Sequence, residues 1–320
     1  MTTRPLALHL AVIALLFALQ FLLPVYHHGV MARVMVLAVF AAGYNLLFGY
    51  AGLLSLGHAM FFAAGLYGAG LTVYHLGWPV PAAFAAGLAG GAVLSLGVGL
   101  LALRTAGVAF MIVTMMFGQA VWLLTLHFNA YTRGDEGLTL PQAARTVAGF
   151  DLTNPATRYF AALLLLSIVL LATLTLVRSP FGRVLVAIRE NEERARLLGY
   201  DTFRAKLVAV VTSGTICAAA GAAYALLFGY IGSGFAAIGY SILSLLWVLV
   251  GGAATVLGPL LGTLLMFYLV DMSGGALNRL LPGWEFSSLG VVGLALVLLV
   301  LFFPKGLLGA LRDRWVRWLP

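Results

Sequence analysis

Residues 178–206 read RSPFGRVLVAIRENEERARLLGYDTFRAK and carry seven basic and four acidic side chains. The runs on either side, 159–177 and 207–229, hold no charge at all. About 20 apolar helical residues are needed to cross a hydrocarbon core, so this polar island sets the pattern of the chain: span, wet connection, span. Outward from it the pattern repeats, with apolar runs near 6–26, 31–50, 54–75, 79–103 and 107–128, a long run from Gly239 to Val270 and a last one near 286–303. Gly251-Gly252, Gly258-Pro259 and Gly262 interrupt the long run near its middle, which predicts two shorter spans there and about ten in all.

The composition agrees. With 62% hydrophobic and 9% charged residues among 320, and a mean hydropathy of +1.05, the chain has more apolar surface than a water-soluble globule can bury. The expected fold is all-α: a polytopic transmembrane helical bundle, one domain over 1–320, with membrane lipid as its solvent. Its net charge of +8 sits at span ends, which fits anchoring at a membrane surface and argues against nucleic acid as a partner. Cys217, the only cysteine, lies in an apolar run, so an internal disulfide and a multi-cysteine metal site are excluded. The run from Leu6 to Val25 follows Arg4 as a signal peptide would, but no convincing small-residue cleavage site ends it, and it is read as the first span. His27-His28 lack a nearby Cys, Asp or Glu to complete a ligand set and would point about 100° apart on a helix. They are read as an interfacial turn, and neither a metal nor a cofactor is expected.

Short segments rich in Lys and Arg stay cytoplasmic. Segment 178–206 and the tail with Arg312, Arg314 and Arg317 therefore face inward, and an even number of spans puts the N-terminus inside too. Segment 129–157, where Arg133 and Arg145 are set against Asp135, Glu136 and Asp151, falls outside. A repeat supports this: Phe48-Gly49-Tyr50-Ala51-Gly52 recurs as Phe228-Gly229-Tyr230-Ile231-Gly232, after the second and the seventh span. An odd offset of five spans reverses direction, as in an inverted five-plus-five repeat.

Within 178–206, Val184 to Leu198 is predicted to form one amphipathic helix with Val184, Ile188, Ala195 and Leu198 on its apolar side. Arg189 with Glu193, Glu190 with Arg194 and Glu192 with Arg196 are four apart, each pair adding roughly 0.2–0.5 kcal/mol. Gly199 suits a left-handed cap, and Asp201 or Thr202 starts the next helix. Setting orientation needs only the arginines; a helix bearing both signs of charge suits a docking surface.

The order Phe181-Gly182-Arg183, Ala187-Ile188-Arg189-Glu190-Asn191-Glu192, Ala195, Leu198-Gly199 and Lys206-Leu207 resembles the cytoplasmic coupling loop of branched-chain amino acid ABC transporter permeases. Glu193, Ala195 and Gly199 keep the Glu-Ala-Ala-x-x-x-Gly spacing of importer permeases, with Arg194 departing at the middle position. The run from Gly49 to Phe62 (GYAGLLSLGHAMFF) and the later Gly251-Gly252, Gly258-Pro259 and Gly262 are similar to two further motifs of that family, although Ala254 replaces a glycine often found in the latter. The resemblance implies an inner-membrane importer subunit that performs no chemistry, pairs with a second related permease, receives solute from a periplasmic binding protein and is driven by two cytoplasmic ATPase subunits. In that role Arg189, Glu190, Asn191, Glu193, Ala195 and Gly199 would couple ATPase motion to the spans. It implies branched-chain amino acids as cargo, with urea, amides or other small solutes as the alternative.

Independently, the chain has no Gly-x-x-x-x-Gly-Lys-Ser/Thr phosphate loop, so energy must come from a partner or an ion gradient. Ion coupling needs ionisable groups inside the membrane, and only Arg33 and His58 lie clearly within spans, Arg33 close enough to a terminus to snorkel outward. His58 reads as a hydrogen-bonded packing residue or a proton relay. A purely structural membrane subunit would not need interrupted helices, whereas Gly49–Gly57 and Gly251–Gly262 interrupt two. Broken backbone survives in a membrane only when buried in protein or lining a wet cavity. The translocation candidates are therefore Asn45, Ser55, His58, Tyr230 and Ser241, with close packing at pairs such as Gly87/Gly91 the alternative reading of the glycines.

Overall fold

The computed structural model describes residues 4–147, 149–280 and 305–314, with isolated positions 290, 293, 297 and 301. The helices are α1 (Arg4–Leu22), α2 (Val25–Asn45, continuing as a wider turn over Leu46–Tyr50), α3 (Ala59–Leu76), α4 (Val80–Ala102), α5 (Val108–His127), the short α6 (Asn129–Thr132), α7 (Pro155–Arg178), α8 (Pro180–Glu190), α9 (Glu192–Leu197), α10 (Thr202–Phe228), α11 (Ile238–Gly251), α12 (Gly258–Leu280) and α13 (Gly306–Arg314). Sheet is confined to four two-residue strands among the described residues: β1 (Leu138–Thr139) pairs antiparallel with β4 (Tyr230–Ile231), and β2 (Thr146–Val147) with β3 (Phe150–Asp151). The chain is an all-α polytopic bundle. Among the described residues seven helices, α1 to α5, α7 and α10, are long and apolar enough to cross a bilayer.

α2 is the axis of the molecule: from Met31 to Tyr50 nearly every residue is buried, with α7, α10, α11 and α12 packed around it. α10 in turn packs on the α3–α4 hairpin, as α2 packs on α11–α12. The central helix of each half is thus embraced by the hairpin of the other, the arrangement an inverted repeat produces. Small residues permit it. A Cβ on Gly87 would come within 2.7 Å of the Gly65 carbonyl oxygen, and Gly91 abuts Ala218.

Two ends are defined by contacts. At one, Arg189 of α8 donates to the Gly49 carbonyl and Arg312 of α13 to the Ala254 carbonyl. At the other, β1 joins β4, and His75 at the end of α3 bonds the Tyr131 carbonyl.

Several expectations change. The predicted turn at His27-His28 is helix, because α2 begins directly after Pro24; His28 Nε2 bonds the Leu23 carbonyl at 3.0 Å. α3 starts at Ala59 rather than near 54, since residues 51–58 run without regular structure, with Ala51, Ser55, Gly57 and His58 buried against the protein and Gly52 exposed. The two shorter spans expected over Gly239–Val270 are found as α11, with 14 residues, and the apolar part of α12, Gly258–Val270, although that helix runs on to Leu280. The tenth span, near 286–303, and Arg317 fall outside the described residues.

The single helix expected over Val184–Leu198 is two. Asn191 leaves helical geometry at φ −161° and ψ 102°, and its Oδ1 accepts from the Arg194 amide at 2.9 Å, restarting the chain as α9. An asparagine favours capping over a helix interior. The break removes two of the three four-apart pairs: Glu192–Arg196 remains at 3.4 Å, while Arg189 turns to Glu190 at 2.7 Å. Leu198, expected on the apolar side, is 70% exposed. Gly199 is left-handed at φ +89°, and Asp201 caps α10 through the Arg204 amide.

Candidate translocation site and coupling loop

Where α2 ends, Asn45 reaches across the bundle. Its Oδ1 accepts from the Ala254 amide and its Nδ2 donates to the Thr255 carbonyl, both at 2.9 Å. One side chain thereby satisfies the backbone of the α11–α12 break, where Gly252 (φ +117°) and Ala254 (φ +56°) occupy backbone regions that suit glycine. The two interrupted segments that sequence alone singled out are joined by this residue.

Ser55 and His58 are buried as well. The Tyr44 hydroxyl donates to the Ser55 carbonyl at 2.9 Å, and Ser55 Oγ accepts from the Gly57 amide at 3.3 Å. His58 Nε2 is 2.9 Å from Ser213 Oγ on α10, and that hydroxyl lies 2.6 Å from the Gly43 carbonyl. A hydroxyl has one hydrogen. With it given to Gly43, Ser213 accepts from His58 Nε2–H, which leaves Nδ1 as a lone-pair acceptor. That Nδ1 is buried without a partner. Ser241, at the start of α11, accepts from the Ala59 amide at 2.8 Å and so caps α3 from another helix.

Asn45, Ser55, His58 and Ser241 thus share one buried polar belt. Tyr230 does not join it. It sits in β4 at the other end, 39% exposed. Ser213 and Tyr44, which complete the belt, were not singled out from the sequence: Ser213 is one of several small polar residues in Thr212-Ser213-Gly214-Thr215, and Tyr44 stands beside Asn45 with nothing to mark its hydroxyl.

The coupling loop is tied to the same belt. Arg189 Nη1 donates to the Gly49 carbonyl at 2.5 Å, and a Cβ on Gly52 would collide with the Arg189 side chain. Glu190 lies outward of this contact, Asn191 caps α9, Ala195 is buried, and Glu193 is exposed and forms no ion pair among the described residues. Lys206 of α10 bonds Glu192, an anchor the sequence reading missed. Burial pushes the Glu192 carboxyl up, but the Lys206 hydrogen bond and charge outweigh it and hold the group below its ordinary value.

A bundle of spans with two interrupted helices joined by a polar belt, and a charged loop fastened to that belt, defines a membrane transport subunit. The chain belongs to the branched-chain amino acid transport system permease component family, whose profile matches residues 27–303. It is 29% identical over 304 residues to the high-affinity branched-chain amino acid transport system permease protein LivM of Escherichia coli K12, covering 88% of this chain and 69% of that protein. The corresponding protein of Salmonella typhimurium is 28% identical over 308 residues, with the same coverage. Over 127 residues, 38% of this chain and 37% of that protein, it is 34% identical to the autoinducer 2 import system permease protein LsrC of Photorhabdus laumondii. No solved structure matches the chain.

Proposed function

We propose that the chain is a permease subunit of an ABC importer for branched-chain amino acids in the bacterial inner membrane, with 178–206 and both termini cytoplasmic and 129–157 periplasmic. Two cytoplasmic ATPase subunits drive it, a second related permease completes the pore, and a periplasmic binding protein delivers the solute to 129–157.

The observation that carries this reading is the contact path from Arg189 to the carbonyl of Gly49, a residue packed against Asn45 Oδ1, and from Asn45 to Ala254 and Thr255. Motion of α8 is thereby transmitted to both interrupted helices, the segments whose backbone a solute can meet. Docking of the ATPase subunits is supported by exposed apolar side chains at this end: Leu197, Leu198 and Tyr200 on the same loop as Glu193 and the arginines, and Phe203 in the first turn of α10. Contiguous exposed apolar side chains at a polar end mark a partner surface. Glu190, Asn191, Ala195 and Gly199 shape that surface. Asn45, Ser55, His58 and Ser241 are the polar contacts of the path, with Tyr230 at its outer end. The unpartnered His58 Nδ1 is the belt's free acceptor for an ammonium group.

In the assembled importer, Arg189→Gln is expected to keep ATPase association but lower uptake about tenfold, the size of a typical coupling energy. Glu193→Lys inserts normally and loses ATPase association. Unchanged uptake in both variants sinks the coupling role. The partial likeness to an autoinducer 2 import permease favours, as a second reading, the same machinery carrying another small solute.

A further inference from the structure

Three arginines from separate parts of the chain, Arg33 of α2, Arg145 of the 129–157 segment and Arg158 of α7, converge on the C-terminal end of α10. Arg33 Cζ lies 5.3 Å and Arg158 Cζ 5.2 Å from the centroid of the Phe228 ring, and Arg145 Nη1 donates to the Leu227 carbonyl at 3.4 Å. A helix C-terminus carries about half a negative charge, and a ring face attracts cations more weakly. Together these offset less than one of the three positive charges. Among the described residues no carboxylate forms an ion pair with any of them. Asp151 is close enough to act on Arg145 and Arg158 through its charge, but its oxygens bond the Thr153 amide and Gln142 and form no ion pair with either arginine.

Two features point to a visitor. Arg145 Nε is buried and has no partner. Arg33 is the one exposed residue between Met31 and Tyr50 on the most deeply buried helix. It stands eight residues past Val25, about 12 Å along the axis, where an exposed guanidinium calls for water or an anion beside it rather than hydrocarbon. Next to Phe228 runs an aromatic wall: Tyr224 is 4.7 Å from Phe228, Phe235 is 4.8 Å from Tyr224, and Tyr240 is 5.1 Å from Phe235, between ring centroids.

We propose that the Arg33, Arg145 and Arg158 cluster receives the carboxylate of the carried solute, with the aromatic wall against its apolar part. The inference rests on the permease reading above and narrows it: the solute is a small carboxylic or amino acid, not urea or a neutral amide. Guanidinium forks match a carboxylate bidentately, and the surplus positive charge concentrates such solutes at this end of the bundle.

The test uses the purified chain in lipid nanodiscs, without partners, treated with phenylglyoxal, which modifies accessible guanidiniums; labelling of Arg33 is followed by mass spectrometry. L-Leucine and 4-methylpentanoate, which carry a carboxylate, are expected to slow labelling about twofold or more near half-saturation. Leucinamide, which lacks the carboxylate, and matched sodium chloride leave the rate unchanged. Equal labelling in all four solutions overturns the proposal, as does equal protection by leucinamide. Protection that appears only with an added binding protein also overturns it, by assigning the arginines to that partner's acidic surface. In the assembled importer, Arg33→Gln is expected to raise the KM for leucine about tenfold at an unchanged maximal rate, with Arg33→Lys between; a fallen maximal rate at constant KM marks a structural role and overturns the proposal. Since the labelling needs no ATPase, its failure is distinct from failure of the importer reading.

Discussion

Phe48–Gly52 and Phe228–Gly232 differ at a single position, yet the two stretches take different backbones. The first widens the last turn of α2 and stays helical through Tyr50; the second stops α10 with Gly229 at φ +72° and continues as a strand. What they share is an arginine from the loop at their own end. Arg189 of 178–206 holds the Gly49 carbonyl, and Arg145 of 129–157 holds the Leu227 carbonyl and packs on Gly229. Similar residues therefore mark corresponding places in two halves, and their surroundings decide the conformation. The first copy is enclosed by Asn45 and the Ala254 backbone, and the second opens onto a sheet strand.

That difference yields the largest expected effect. A Cβ on Gly49 would overlap Asn45 Oδ1 and come within 2.6 Å of the Ala254 amide nitrogen, neither of which can retreat without breaking the belt. Gly49→Ala should cost about 3 kcal/mol. Gly229→Ala meets only the Arg145 guanidinium and a left-handed backbone, for roughly 1–2 kcal/mol. Thermal unfolding of the detergent-solubilised variants measures both, and equal costs would erase the contrast.

A smaller effect sharpens it from the partner segment. Ala254 holds φ +56°, the conformation for which glycine is suited. Ala254→Gly relieves strain of roughly 1–2 kcal/mol against about 0.4–1 kcal/mol lost through a freer unfolded chain. Its melting temperature should rise slightly, and a fall would mean the Asn45 contacts depend on the methyl group.

The smallest effect compares the two ends by pH. The folded Glu192 carboxyl titrates below its unfolded value, so its contribution is complete above the ordinary carboxylate range, about 4, and is lost as pH falls through the lower folded value. Hydrogen exchange in α9 should quicken on acidification through that window, and Glu192→Gln should abolish the dependence. A Glu192→Gln profile identical to the parent's would remove Lys206 as the anchor.

The seven long spans were legible because uncharged runs bounded by Pro, Gly and Arg leave few other ways to satisfy a backbone in lipid. The break at Asn191 was legible too, for Asn followed by Glu192 and Glu193 is a helix-start signal, but the three four-apart charge pairs argued for continuity and masked it. Residues 51–58 were not, since Leu53, Leu54 and Leu56 read as helix until the protein around them makes helix unnecessary. For the site, Asn45, Ser55, His58 and Ser241 could be picked out as polar residues beside glycine breaks. Ser213 and the three arginines around Phe228 could not, because what distinguishes them is a neighbour more than a hundred positions away or a shared ring, and Tyr44 could not because its partner is the carbonyl of Ser55, eleven positions on in an irregular segment.

Ser241 supplies the first turn of α3 with a bond that its own helix does not provide, across 182 positions of sequence. A splint of this kind makes two helices mechanically one. Sliding α11 along its axis by even an ångström or so would strand the Ala59 amide in an apolar interior, at about 1–3 kcal/mol. An inserted residue just upstream of Ser241 should accordingly be felt first at Ala59.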